Sequence, residues 1–183
     1  MYQKNKMPDL PYVRIEIRQS TMLPQQIGLF SLRKVSGGEV LIDASVYSDI
    51  HLLPKESFDS LDQITKQKIL GFCPSGPDGF DIPTDLNCIS IAWYMNHSCN
   101  PNIGFNDSYD FVAIRNIDEG EELSWDYGYD EHNPDFKMNC LCGSEKCRKI
   151  ITGNDWKILM KDGGKYPFFS PKLKEFINIQ KNK

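Results

Sequence analysis

Three cysteines near the C-terminus, Cys140, Cys142 and Cys147, restrict this chain more than any other feature. Residues two apart in an extended segment project to the same side. Cys140 and Cys142 can therefore reach one ion, with Cys147 folding back after a Gly143-Ser144 turn. A structural zinc site is normally closed by four ligands. Cys99 is the natural fourth, because it lies inside a second distinctive run, Asn96-His97-Ser98-Cys99-Asn100-Pro101-Asn102. The plainer alternative is a set of free thiols in a Gly/Ser-rich loop. Cys73 and Cys88 have no ligand spacing and read as small core residues. His51, His97 and His132 have no partner at metal-site spacing.

The rest of the chain supports a compact protein around such a site. At 183 residues it is about one domain long, enough to bury its own core. Its longest apolar stretch, Cys88 to Met95, is too short to cross a membrane. Met1 to Leu10 carries lysines with no apolar region after them, so no secretory signal peptide is expected. A cytosolic or nuclear setting follows, in which clustered cysteines bind metal more often than they pair. We expect a monomer.

Charge is unevenly placed. Asp107 to Asp135 holds ten acidic residues and one basic residue, whereas Lys137 to Lys183 holds eleven Lys or Arg against four acids. One reading is a solvated acidic face beside a lysine-rich tail. The other is an acidic surface that attracts a basic peptide. A pI near 5.4 leaves no basic footprint for nucleic acid.

Hydrophobic periodicity predicts a mostly β chain of α+β class. Tyr12 to Arg18 alternates, placing Val13, Ile15 and Ile17 on one face of a strand. Leu29–Leu32 and Val40–Ile42 read as two strands joined across Ser36-Gly37-Gly38. Ser57–Leu70 is the best helix, with Phe58, Leu61, Ile64 and Ile69 near one face and Gly71 to end it. Cys73–Pro83 reads as a Pro/Gly-rich loop. Asp110–Ile114 is a strand running into an Asp118-Glu119-Gly120 turn.

Taken together, the Asn96–Asn102 run, a second run Glu121-Glu122-Leu123-Ser124-Trp125-Asp126-Tyr127-Gly128-Tyr129 and the cysteine cluster resemble the SET-domain protein lysine methyltransferases with a post-SET zinc segment. The resemblance implies a β-clip core, with a knot-like C-terminal threading that is a rare exception to the rule against threaded chains. It implies a SET domain over 12–130 with a variable insert at 43–86, a zinc segment at 137–150 and a tail at 151–183 covering the core. The family's Cys-x-Cys-x4-Cys pattern is matched in full, with Cys99 as the implied fourth zinc ligand. Asn96 and His97, with Ile27, Gly28, Leu29, Tyr127 and Leu141, are implied to bind S-adenosylmethionine. Gly28 is the second glycine of the family's Gly-x-Gly, and Gln26 stands in place of the first. Glycines there let the backbone come close to the cofactor. Trp93 stands where a basic residue is common.

The activity implied is methyl transfer from S-adenosylmethionine to a lysine of a protein substrate such as a histone tail. Tyr127 would be catalytic, its hydroxyl beside the transferred methyl, and Trp125, Tyr129 and Tyr94 would line the substrate channel. The attacking amine must be neutral, whereas lysine in water has a pKa of about 10.4. A dry aromatic channel lowers that value by desolvation, and the nearby sulfonium acts in the same direction. Ring faces also favour a methylammonium. Trp125 lacks the phenol hydroxyl that a tyrosine would place there, which points to di- or trimethylation. Trp156 and the aromatics of Tyr166–Phe169 either cover the cofactor or substrate or anchor the tail. Two other classes compete: a catalytically weak SET-like binding module, prompted by Gln26 and Trp93, and a zinc module binding nucleic acid, opposed by the acidic balance.

Overall fold

The computed structural model describes residues 13–161 and 168–181. Tyr12, the Met1–Leu10 segment, Tyr166 and the last two lysine-and-asparagine positions, 182–183, lie outside the described residues. The chain opens with β1 (Ile15–Gln19), β2 (Ile27–Ser31) and β3 (Val40–Ile42). The insert follows, as β4 (Ile50–Pro54), α1 (Lys55–Asp59), α2 (Gln63–Phe72) and β5 (Gly79–Pro83). Next come β6 (Asn96–His97), β7 (Ile103–Phe105), β8 (Phe111–Ala113) and β9 (Glu122–Trp125). The C-terminal part holds β10 (Lys137–Asn139), β11 (Ile150–Thr152), α3 (Asp155–Lys161) and α4 (Pro171–Lys181).

The main sheet runs β1-β2-β9-β7-β8-β3, with β6 also pairing with β9. β9 is its hub. It meets β2 antiparallel on one side and β6 and β7 parallel on the other. Glu122, Leu123 and Ser124 of β9 are all buried, and Leu123 is fully buried with Leu29 and Ile103. Phe105 and Phe111 complete this core. Two smaller antiparallel pairs, β4·β5 in the insert and β10·β11 beside the cysteines, flank it.

Several local expectations are corrected. β2 and β3 are not partners across the Ser36–Gly38 turn. The turn forms, with Gly38 at φ 88°, but its N–H donates to Ala113 O and β3 pairs with β8. Val13 and Ile17 are exposed and only Ile15 packs on the core, because β1 is the outermost strand of the sheet. The Ser57–Leu70 helix is two helices. Asp62 interrupts it by accepting the N–H groups of Ile64 and Thr65, a side-chain cap that starts α2 afresh. Ile64 is consequently 81% exposed, Ile69 alone of α2 is buried, and Gly71 sits inside the helix, which ends at Phe72. Cys73–Pro83 contains β5, and Cys88 is exposed where a core position was expected. Cys73 is buried as expected.

The tail builds a second core. Trp156, Phe169, Leu173 and Ile177 are buried against one another, with Tyr129, Leu159 and Phe176 packed around them. Lys172 and Lys174 of α4 reach back to Asp81 (2.9 Å) and Asp107 (2.6 Å). Basic tail and acidic body thus neutralise each other in part, rather than presenting two separate faces.

Candidate active site and cysteine lobe

The two motif runs meet on β9. Asn102, which closes the first run, is buried and pairs with the backbone of the second: its amide donates to Glu122 O at 2.8 Å, and its Oδ1 accepts Ser124 N–H at 2.8 Å. An asparagine offers both a donor and an acceptor at one position, so it can stand in for a strand edge. The parallel register then sets Asn96 beside Ser124 and His97 beside Trp125.

Around Gly28 the packing is tight. The Glu122 carboxylate accepts from Ser20 Oγ, Thr21 N and Thr21 Oγ1, all at 2.7 Å, and from Asn96 Nδ2 at 3.1 Å. Burial raises its pKa, but the bonds from Thr21, Ser20 and Asn96 outweigh it and hold the carboxyl below its ordinary range. A Cβ at Gly28 would collide with Glu122 Oε1 and stand 3.0 Å from Asn96 Nδ2. The missing side chain therefore makes room for protein groups. Asn96 Nδ2 also donates to Ile27 O at 2.9 Å, joining the two motif strands. Gln26 is exposed with no left-handed backbone. The residue before it, Gln25, takes φ 67°, so the replacement of a glycine at Gln26 meets no conformational penalty.

His97 is buried between the cysteines and the aromatic run. Its Nδ1 accepts the Tyr127 N–H at 3.1 Å, so its proton lies on Nε2, which faces Cys99 Sγ at 3.4 Å. Burial drives its pKa down to about 4, more than nearby Asp126 raises it. The ring is neutral, and its 3.8 Å approach to Asp126 is no ion pair.

From His97 a file of rings leads into the protein. Centroid separations are 5.1 Å to Tyr127, 5.0 Å on to Trp125, 5.2 Å to Phe105, 5.6 Å to Tyr109 and 5.4 Å to Tyr47. All of them line one cleft of about 1100 Å³, together with Tyr94, Ile27, Asn96 and Leu141. Burial pushes the Tyr127 pKa up to about 12, and its hydroxyl donates to Met95 O at 3.3 Å. The phenol is thus protonated and neutral at physiological pH. Gly28 and Leu29 are buried behind the cleft wall. Tyr129 does not line the cleft. Its ring packs on Phe169 at 5.7 Å, at the seam of the two cores. Trp156 and Phe169 belong to the tail core and do not line the cleft either.

No motif marked Tyr47, Tyr109, Phe105 or Phe111, and all four line the cleft. So do Asp81, Asp130 and Glu131. Burial raises the Glu131 pKa to about 7, although hydrogen bonds from Asn133 N–H and Ser75 Oγ act the other way. The excess of acids between Asp107 and Asp135 was the one sequence signal for Asp130 and Glu131, and Asp81 had none. The indole N–H of Trp93 is buried without a partner.

The four Sγ atoms of Cys99, Cys140, Cys142 and Cys147 lie within 4.8 Å of one another. An ion bound tetrahedrally at about 2.3 Å from sulfur separates ligand sulfurs by about 3.8 Å, and Cys99 and Cys140 stand 3.8 Å apart. Burial raises the Cys142 thiol, but hydrogen bonds from the Cys99 and Ser144 N–H groups and from the neighbouring thiols bring it down to about 7. Burial keeps Cys99 and Cys140 above the ordinary thiol range. A cation ligated by thiolates fits this donor set. His51 and His132 lie elsewhere, on Thr84 and on the Phe176 ring.

A β-rich domain whose cleft joins an Asn-His run to an aromatic file, walled by a four-thiol lobe, is a recognisable class. The chain belongs to the SET-domain family: residues 26–128, over half its length, match the SET domain. It is 29% identical over 131 residues to human histone-lysine N-methyltransferase 2B, covering 68% of this chain and 5% of that protein. It is 41% identical over 66 residues to the histone-lysine N-methyltransferase trr of Drosophila melanogaster (32% and 3%). A probable histone-lysine N-methyltransferase set-23 of Caenorhabditis briggsae is 40% identical over 70 residues (34% and 29%). The chain spans less than a third of the length of each of these relatives. Among the described residues no helix is long and apolar enough to cross a membrane.

Proposed function

We propose that this protein is an S-adenosylmethionine-dependent protein-lysine N-methyltransferase acting on a histone tail or a similar lysine-bearing segment. One observation carries the reading: Tyr127 stands in a single cleft between the Asn96–His97 corner and a file of aromatic rings. The cofactor supplies an electrophilic methyl on a sulfonium. Asn96, His97, Ile27, Leu141 and Tyr127 would hold it, Gly28 and Leu29 contributing backbone. The relatives named as histone-lysine N-methyltransferases support the substrate class.

The chain's own residues account for the rest. Asp130 and Glu131 line the cleft and draw in a cationic side chain, while Asp81, also on the wall, is already paired with Lys172. Past them, Tyr47, Tyr109, Phe105 and Trp125 exclude water, which lowers the pKa of a lysine amine and favours its neutral, nucleophilic form. Tyr127, protonated and neutral, orients by hydrogen bonding and does not act as a base. Alignment in a preformed channel is the main source of rate. The thiolates of Cys99, Cys140, Cys142 and Cys147 would hold one zinc ion, with a structural role only.

The test is label transfer from methyl-labelled S-adenosylmethionine to a histone panel. Wild type is expected to label a lysine, and Tyr127→Phe to be slower by on the order of a hundredfold, the scale of a lost alignment. Transfer untouched by Tyr127→Phe removes that residue from the mechanism. No cofactor binding by calorimetry sinks the enzyme reading and leaves the binding-module alternative.

A further inference from the structure

Arg148 directly follows the last cysteine of the lobe. It is neither a thiol ligand nor a cleft-lining residue, and no motif considered above includes it. Its guanidinium donates to both oxygens of Asp126, Nη1 to Oδ2 at 2.7 Å and Nη2 to Oδ1 at 2.6 Å, and through Nε to Asp155 Oδ2 at 2.6 Å. Its backbone N–H donates to Cys99 Sγ at 3.4 Å. The carboxylates are almost fully buried, their side chains 1% and 3% exposed.

Each partner carries something else. Asp126 immediately precedes Tyr127, and its Oδ1 also accepts the Gly128 N–H at 2.9 Å, capping the 3₁₀ turn Tyr127–Tyr129. Asp155 opens α3, and its Oδ1 accepts the Thr152 N–H and hydroxyl. The turn is pressed against α3: a Cβ on Gly128 would stand 2.8 Å from Leu159 and 3.2 Å from Asp155. One planar cation thus joins the cysteine lobe, the turn bearing Tyr127 and the first tail helix. Two buried carboxylates held by one guanidinium need a fork that bonds both at once, which a lysine cannot supply.

We propose that Arg148 is a positioning residue for methyl transfer: it clamps the Asp126–Tyr129 turn between the cysteine lobe and α3 and so fixes where the Tyr127 hydroxyl points. This rests on the reading of Tyr127 as the residue at the reacting methyl. Charge at this point is not sufficient, and the two-sided fork is what sets the turn. The Tyr127 N–H bond to His97, whose other nitrogen faces Cys99, is a second tie between the same turn and the lobe.

Arg148→Lys separates charge from geometry, whereas Arg148→Met would strand two buried carboxylates and endanger the fold. The clamp predicts that Arg148→Lys retains about one equivalent of zinc and cofactor affinity within about threefold, while kcat falls about tenfold or more through misalignment. Amide exchange at Gly128 is expected to quicken in the same variant. A residue with only a structural role would lower the melting temperature and leave kcat per zinc-loaded molecule unchanged. A kcat within about twofold of wild type, with unchanged Gly128 exchange, overturns the proposal. Should Arg148→Lys fail to fold, Asp155→Asn, which keeps the Asp126 fork, is expected to show the same exchange change in milder form, and its absence overturns the clamp. If wild type transfers no label, the functional reading fails, and Gly128 exchange alone decides the clamp.

Discussion

The cysteine lobe and the insert wall the same cleft, yet they are held in opposite ways. On the lobe side, buried polar groups satisfy one another: Asp126 on Arg148, His97 on the Tyr127 N–H, Asn102 on β9, Glu122 on the Ser20–Thr21 loop. On the insert side the contacts are looser. Among the insert's aliphatic side chains only Ile69 is buried outright, while Leu52, Ile64 and Leu70 are more than half exposed. Buried polar networks fail as units when one member is lost, whereas an exposed apolar side chain changes little when replaced. The comparison places the demanding positions on the lobe side and leaves the insert free to vary in everything except the rings and acids it turns toward the cleft.

Three perturbations sharpen or break that contrast. The largest effect is expected from Cys142→Ser, or from a strong chelator. Elemental analysis should show loss of about one equivalent of zinc, and because ligand binding is folding energy here, the melting temperature should fall by about 10 °C or more. Cofactor affinity should weaken with it, since Cys99 and Tyr127 share the His97 bridge. A metal-free protein with an unshifted melting curve would falsify the zinc assignment. Gly28→Ala comes next. Its methyl must displace a carboxylate already bonded to Ser20, Thr21 and Asn96, so a loss of about 1–3 kcal/mol in urea unfolding is expected. A neutral result would mean that the Glu122 network gives way easily. Smallest is Ile64→Ser on the insert, expected within about 0.5 kcal/mol of wild type. A larger loss would show that this face of α2 is covered by something, and the contrast would weaken.

Much of this was legible in the residues, and the exceptions share a cause. The cysteine spacing anticipated a four-thiol lobe because ligand geometry is local and chemically narrow. The Glu121–Tyr129 run gave no clear strand signal, because the polar members of β9, Glu122 and Ser124 alternating with Leu123 and Trp125, are buried on partners from other segments. Local capping was missed at Asp62, where one carboxylate ended a helix pattern that looked continuous. The partner of β3 was missed: it pairs with β8, not β2, since a turn in the right place does not say which strands its arms will join. Tyr129 was expected in the channel by its nearness to Tyr127, but two residues on across a 3₁₀ turn its ring reaches Phe169 instead. Arg148 carried no signal in its spacing, because its role depends on two carboxylates at positions 126 and 155.

The sequence by itself determined the chemistry available: four thiols, three of them at metal-site spacing, an Asn-His pair and a tyrosine among aromatics. Those follow from residue type and short spacing, which are properties of the covalent chain. Only the tertiary structure decided that Tyr47 and Tyr109 complete the file that starts at His97, and that Gly28 makes room for Glu122. It alone places Arg148 between the cysteine lobe and the turn of Tyr127. Those relations join groups far apart in the chain, and the energy that sets them, burial of polar groups that must then find partners, exists only once the fold has closed around them.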